Sequence, residues 1–108
     1  MRSVYKSYTL LSKGYLLRIE ALEIDDHILD KIESRHGISF HEVEEACYSL
    51  RRHIRRGRTG LYKVFSQTEA GRHVLVVLVD GGGGVWRVAT AREMTVQERR
   101  LYRQARRD

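Results

Sequence analysis

The sequence predicts a small α+β domain, an antiparallel sheet of about four strands packed by two N-terminal helices and a C-terminal helix. Three observations carry that prediction. Apolar alternation near Arg18 and a continuous apolar run from Val74 to Val79 mark strands on either side of a helical middle. Two Ser/Thr-x-x-Glu patterns, Ser39 with Glu42 and Thr95 with Glu98, mark helix starts, because each side chain then satisfies a backbone donor. The glycines Gly81 to Gly84 reverse the chain between two strands.

Taken in order, residues 1–17 contain no acid and too short an apolar stretch for a secretory signal. They read as a poorly ordered tail, with a basic arm or an added strand as alternatives, and the domain proper spans 18–108. Arg18 to Asp25 fits a first strand, with Leu22 and Ile24 on one side and Ile19 and Ala21 on the other. Asp26 to Arg35 reads as a short helix that stops at Gly37, the residue suited to a left-handed C-cap. A second helix starts at Ser39 and ends near Ser49, with Phe40, Val43, Cys47 and Leu50 as its apolar stripe. A basic loop or irregular edge strand follows, then strands over Leu61 to Gln67, Val74 to Val79 and Val85 to Arg92. Thr95 opens the last helix, which packs through Leu101, Tyr102 and Ala105.

Composition narrows the function. The chain has 108 residues, enough for one domain, and a formal net charge of +6, which favours nucleic acid or an acidic protein as partner. A single cysteine, Cys47, permits neither an intrachain disulfide nor a cysteine-rich metal site, so a reducing cytoplasm is the simplest location. No apolar run approaches the ~20 residues of a membrane span, so no membrane is expected as partner. The histidines show no ligand spacing, and Gly81 to Gly84 lacks the lysine and helix of a phosphate loop, so neither a metal nor a cofactor is expected.

The cations are concentrated. Arg51, Arg52, His53, Arg55, Arg56 and Arg58 fall within eight positions with no acid between them, and the last helix carries Arg99, Arg100, Arg103, Arg106 and Arg107. Phosphate binding explains two such groups lining one groove; a solvated loop is the alternative for the first. Arg92, at the junction of last strand and last helix, is placed either to clamp a phosphate or to pair with Glu93 or Glu98.

Three stretches in order, Arg35-His36-Gly37-Ile38-Ser39-Phe40, Gly71-Arg72, and Arg87-Val88-Ala89-Thr90-Ala91-Arg92 followed by Thr95, Glu98, Arg99 and Tyr102, resemble the BrnT toxin family of the RelE-like superfamily. The resemblance covers Arg18 to Arg103. Where many members carry Trp-Asp this chain has Ile24-Asp25, and Ile28 and Ile32 stand in place of a lysine and an asparagine. The resemblance implies a bacterial endoribonuclease toxin that arrests translation and is neutralised by a cognate DNA-binding antitoxin; homo-oligomer formation is left open. Metal-free RNA cleavage needs a base, an acid and a cation for the phosphorane. On this reading Arg58 and Arg92 stabilise the phosphate and His36 or Glu93 moves the proton, with Tyr62 or Tyr102 as substitute hydrogen-bond donors. Arg55, Arg56, Arg72, Arg87, Arg99 and Arg103 would hold RNA. The competing reading is a non-catalytic module that binds RNA or an antitoxin.

Overall fold

The computed structural model describes residues 2–12 and 15–107, with side chains from Leu17 onward. Nine elements follow in order: strands β1 (Arg2–Ser12) and β2 (Tyr15–Ile24), helices α1 (Asp26–His36) and α2 (Phe40–Tyr48), strands β3 (His53–Arg56), β4 (Leu61–Gln67), β5 (His73–Asp80) and β6 (Val85–Glu93), and helix α3 (Val96–Arg107).

The sheet departs from the expected one in size and direction. It has six strands in the order β1-β2-β6-β5-β4-β3, and β2 runs parallel to β6 while every other pairing is antiparallel. The parallel pair arises because α1 and α2 carry the chain across a face of the sheet before β3, so β2 and β6 enter from the same end. The tail reading of residues 1–17 gives way over Arg2–Ser12 to a strand, the alternative weighed for this segment. Residues 1, 13 and 14 of that segment lie outside the described residues.

One face of the sheet is covered by α1 and α2. Ile54, Val64, Val76, Leu78 and Val88 form a core there with Leu29 and Ile32 of α1 and Val43, Ala46 and Cys47 of α2. Ile19 belongs to the same cluster as Leu22 and Ile24, where strict alternation had put it on the other side. The cause is local. The amides of Glu20 and Ala21 both donate to the Gly84 carbonyl, at 2.8 and 3.2 Å, so two residues of β2 oppose one and the alternation shifts by one. Gly84 has φ +83°, and a Cβ there would lie 2.9 Å from Glu20 Cγ, so glycine is required for this approach.

The helix ends follow their sequence signals. Gly37 caps α1 in the left-handed region at φ +62°. The N-cap of that helix is Asp25, whose side chain makes no capping bond. Ser39 and Glu42 form a complete capping box on α2. Thr95 and Glu98 do the same on α3, the amide of each residue donating to the other's side chain at 2.8 and 3.1 Å. Two expected packing residues are displaced: Leu50 is 85% exposed beyond the end of α2, and Leu101 is 44% exposed on α3.

Candidate nucleic-acid interface

Among the described residues, the sheet's second face is crossed near one end by α3. In register, this open face carries Arg55 of β3, Lys63 and Phe65 of β4, Leu75 and Val77 of β5, and Arg87 and Arg92 of β6. Arg55 stands directly opposite Lys63, both exposed. Like charges facing each other across two strands repel, and an anion between them removes that cost. Arg87 lies farther along the same face, beside Glu23 of β2.

Helix α3 sits on this face through Tyr102, which is buried and donates its hydroxyl to the Arg51 carbonyl at 2.6 Å. Between the helix and the strands lies a groove of about 320 Å³ whose walls include His53, Arg55, Lys63, Phe65, Leu101 and Tyr102. Glu98, paired with Arg92, also lines it, and the groove joins cations at its mouth to an aromatic and aliphatic floor, a combination that holds a phosphate and stacks a base. His53 Nε2 lies 3.2 Å from Arg55 Nε and accepts its hydrogen bond. An imidazole therefore stands beside the cation pair.

Arginines counted together in the sequence have separate roles. Arg52 is buried, donating to the Cys47 carbonyl at 2.9 Å and the Leu17 carbonyl at 2.6 Å; it closes the end of α2 onto β2. Arg56 lies 5.6 Å from the centre of the Tyr62 ring. Arg72 donates to Glu42 Oε2 at 2.9 Å, to the Gly37 carbonyl at 2.8 Å and to Glu93 at 2.6 Å, so it locks the α1–α2 turn to the end of β6. Those bonds raise its already high pKa, Glu93 first. Burial opposes ionisation of Glu42, yet the Ser39 amide and Arg72 together hold its carboxyl below 4.5.

Arg92 makes the ion pair weighed for it. Its guanidinium spans both oxygens of Glu98 at 2.8 and 3.0 Å and also donates to the Glu93 carbonyl, so it fixes the first turn of α3 to β6. The Arg92 bond is the largest influence holding Glu98 below its ordinary carboxylate value, and burial opposes it. Arg58 lies in the turn after β3, at the opposite end of the sheet. Leu61 faces Val79 and Leu75 faces Arg92, so four residues, about 13 Å at ~3.3 Å per residue, separate the two ends before the turn is counted. One phosphate cannot meet both. His36, at the end of α1, belongs to the covered side of the sheet with the Arg72 cluster. None of Arg58, Arg92, His36 and Glu93 lines the groove.

Of the expected RNA-holding residues, Arg55 lies in the groove, Arg56 at its rim, and Arg87 on the open face. Arg99 and Arg103 lie on the far flank of α3. Lys63 stands outside the basic cluster of the sequence and His53 is one member of it; alternation within β3 and β4 places both beside Arg55. Tyr62 packs edge-on against Trp86 at 5.1 Å, away from the groove. Burial pushes the Cys47 thiol up to about 12, so it is a core side chain and no nucleophile.

No sequence-family model and no curated protein matches the chain. Among solved structures it is similar to the ribonuclease toxin BrnT of Brucella abortus, with a TM-score of 0.59 at 13% identity, covering 68% of this chain and 95% of that one. At this identity the likeness is one of fold alone. The chain thus has the fold of a ribonuclease toxin.

Proposed function

We propose that this protein is the toxin of a type II toxin–antitoxin pair, an endoribonuclease that cleaves RNA without a metal, arrests translation and is neutralised by a cognate DNA-binding antitoxin. The observation that carries the reading is the groove under α3, where Arg55 and Lys63 face each other beside an imidazole, on a fold shared with a ribonuclease toxin. In this site Arg55 and Lys63 hold the scissile phosphate and Phe65 supports a base. His53 takes the proton from the attacking 2′-hydroxyl once the phosphate draws Arg55 away; the P–O5′ bond breaks to leave a 2′,3′-cyclic phosphate, and the departing 5′-oxygen takes a proton from solvent water. Arg87 holds a neighbouring phosphate, and Arg92 acts on the site by holding α3 in place.

The second reading, a binding module without chemistry, draws support from the Arg72 and Arg92 clusters, whose carboxylates and guanidiniums are already engaged with one another. Expression in a bacterial host separates the two. A toxin stops growth, is rescued by the product of an adjacent open reading frame, and when purified cuts single-stranded RNA in the presence of EDTA. His53→Gln then loses cleavage by roughly 10²-fold or more while keeping RNA affinity. A wild-type chain that binds RNA yet leaves it intact and the host unharmed is the module.

A further inference from the structure

Tyr102 divides the sheet-facing side of α3 in two. On one side Leu101 looks into the groove. On the other, Arg99, Arg103 and Arg106 follow at helical spacing, so their side chains share one flank. That flank overhangs the end of the sheet where β4 meets β5. There a second cavity, about 410 Å³, is lined by Gln67, His73, Tyr102, Arg103, Arg106 and Arg107.

The cavity is built from donors. His73 packs edge-on against Tyr102 with ring centres 5.8 Å apart, and Gln67 is its partner in register across β4 and β5. Arg106 lies 5.7 Å from the centre of the Tyr102 ring, which fixes its guanidinium over the cavity. Among the described residues no carboxylate pairs with Arg99, Arg103 or Arg107. Among the described residues, Glu93 and Glu98 are held by Arg72 and Arg92. Three guanidiniums on one flank repel unless an anion sits among them.

We propose that this cavity behind α3 is a phosphate-binding site, in which Arg103 and Arg106 grip the phosphate oxygens, Gln67 donates an amide hydrogen, and His73 donates a ring N–H. The site lies apart from the groove and stands whether or not the chain cleaves RNA. Phosphate suits it better than a single carboxylate because several forked donors converge on it, and a phosphate offers oxygens in three directions. The anion is either a phosphodiester of an RNA strand or a terminal phosphate monoester.

His73 gives the site a readout. Its burial, and the charges of Arg103 and Arg99, lower its pKa below 6.5 in the empty protein. The groups facing it are Arg99, Arg103, Arg106 and Arg107 of α3, the neutral Gln67 of β4 and the Tyr102 ring. A bound phosphate offsets part of the arginines' charge, so binding raises the imidazole's affinity for a proton.

The test follows the His73 ring protons of the full chain by NMR, assigned by their loss in His73→Gln, through a pH titration with inorganic phosphate and with sodium chloride at matched ionic strength. Phosphate should raise the His73 pKa by about one unit, and chloride should not. The variant Arg103→Gln/Arg106→Gln should weaken phosphate binding about tenfold or more without lowering the melting temperature. Short oligoribonucleotides with and without a 5′-phosphate distinguish the sources: both shift His73 if the site takes a diester, and only the phosphorylated one if it takes a monoester. An equal shift in chloride, or a His73 titration indifferent to phosphate, overturns the proposal.

Discussion

The two faces of the sheet use the same device and end with opposite properties. On the covered face, the capping-box glutamate of α2, Glu42, is tied to Arg72, in the turn before β5; on the open face, the capping-box glutamate of α3, Glu98, is tied to Arg92 of β6. Each pair fastens a helix start to the sheet. Beyond that the faces diverge. Arg72 meets a second carboxylate and a carbonyl, Arg52 meets two carbonyls, and the side chains beneath them are sealed from solvent. On the open face Arg55 meets Lys63, and the far flank of α3 carries three arginines with a common direction. A net charge of +6 is thus a sum over two populations, one that holds the protein together and one displayed to a partner.

Substitutions on the two faces should separate these populations. The largest effect is expected at Arg52. Arg52→Ala leaves the Cys47 and Leu17 carbonyls without their donor and opens a cavity, and should lower unfolding free energy by about 3 kcal/mol in chemical denaturation. Arg72→Ala follows, at about 1–2 kcal/mol near neutral pH. Its effect depends on pH with a defined sign. Glu42 is held below 4.5 in the folded protein, so its contribution is complete above that value and fades as pH falls through the folded-state pKa. The gap between wild type and Arg72→Ala should therefore narrow on going from pH 7 to pH 3, and a gap that widens would reassign the role of Arg72. Ser39→Ala and Thr95→Ala remove the matched caps and should cost about 1 kcal/mol each, measured by thermal unfolding. Leu50→Ser should change stability by less than about 0.5 kcal/mol, because its side chain packs on neither face.

What was legible in the sequence was local. Ser39 with Glu42, Thr95 with Glu98, and Gly37 mark their helices within one turn, and the strand read over Leu61 to Gln67 is β4 with the same bounds. What was not legible depends on partners far along the chain. Arg52 reads as one more exposed cation until Leu17, 35 residues away, supplies the carbonyl that allows its burial. The shared hydrogen bonds at Gly84 that move Ile19 into the core, and the parallel pairing of β2 with β6, are set by the glycine turn, with Gly84 64 residues beyond Glu20 and outside any periodic window. The site suffered in the same way. Arg58 and Arg92 look equivalent by composition, yet strand register sends them to opposite ends of the sheet. Lys63, with no cationic neighbour in sequence, becomes a binding candidate only because β3 folds back to place Arg55 across from it.

The division between a structural face and a binding face is tested most directly by Arg55→Gln/Lys63→Gln. The measurement is the affinity of a short single-stranded oligoribonucleotide over a range of salt, paired with the melting temperature. The account predicts about tenfold or greater loss of affinity at low salt and a salt slope shallower by roughly 0.7 for each charge removed. Relief of the facing charges should leave the melting temperature equal or higher. Unchanged affinity and slope, or a collapse of the melting temperature, would contradict it.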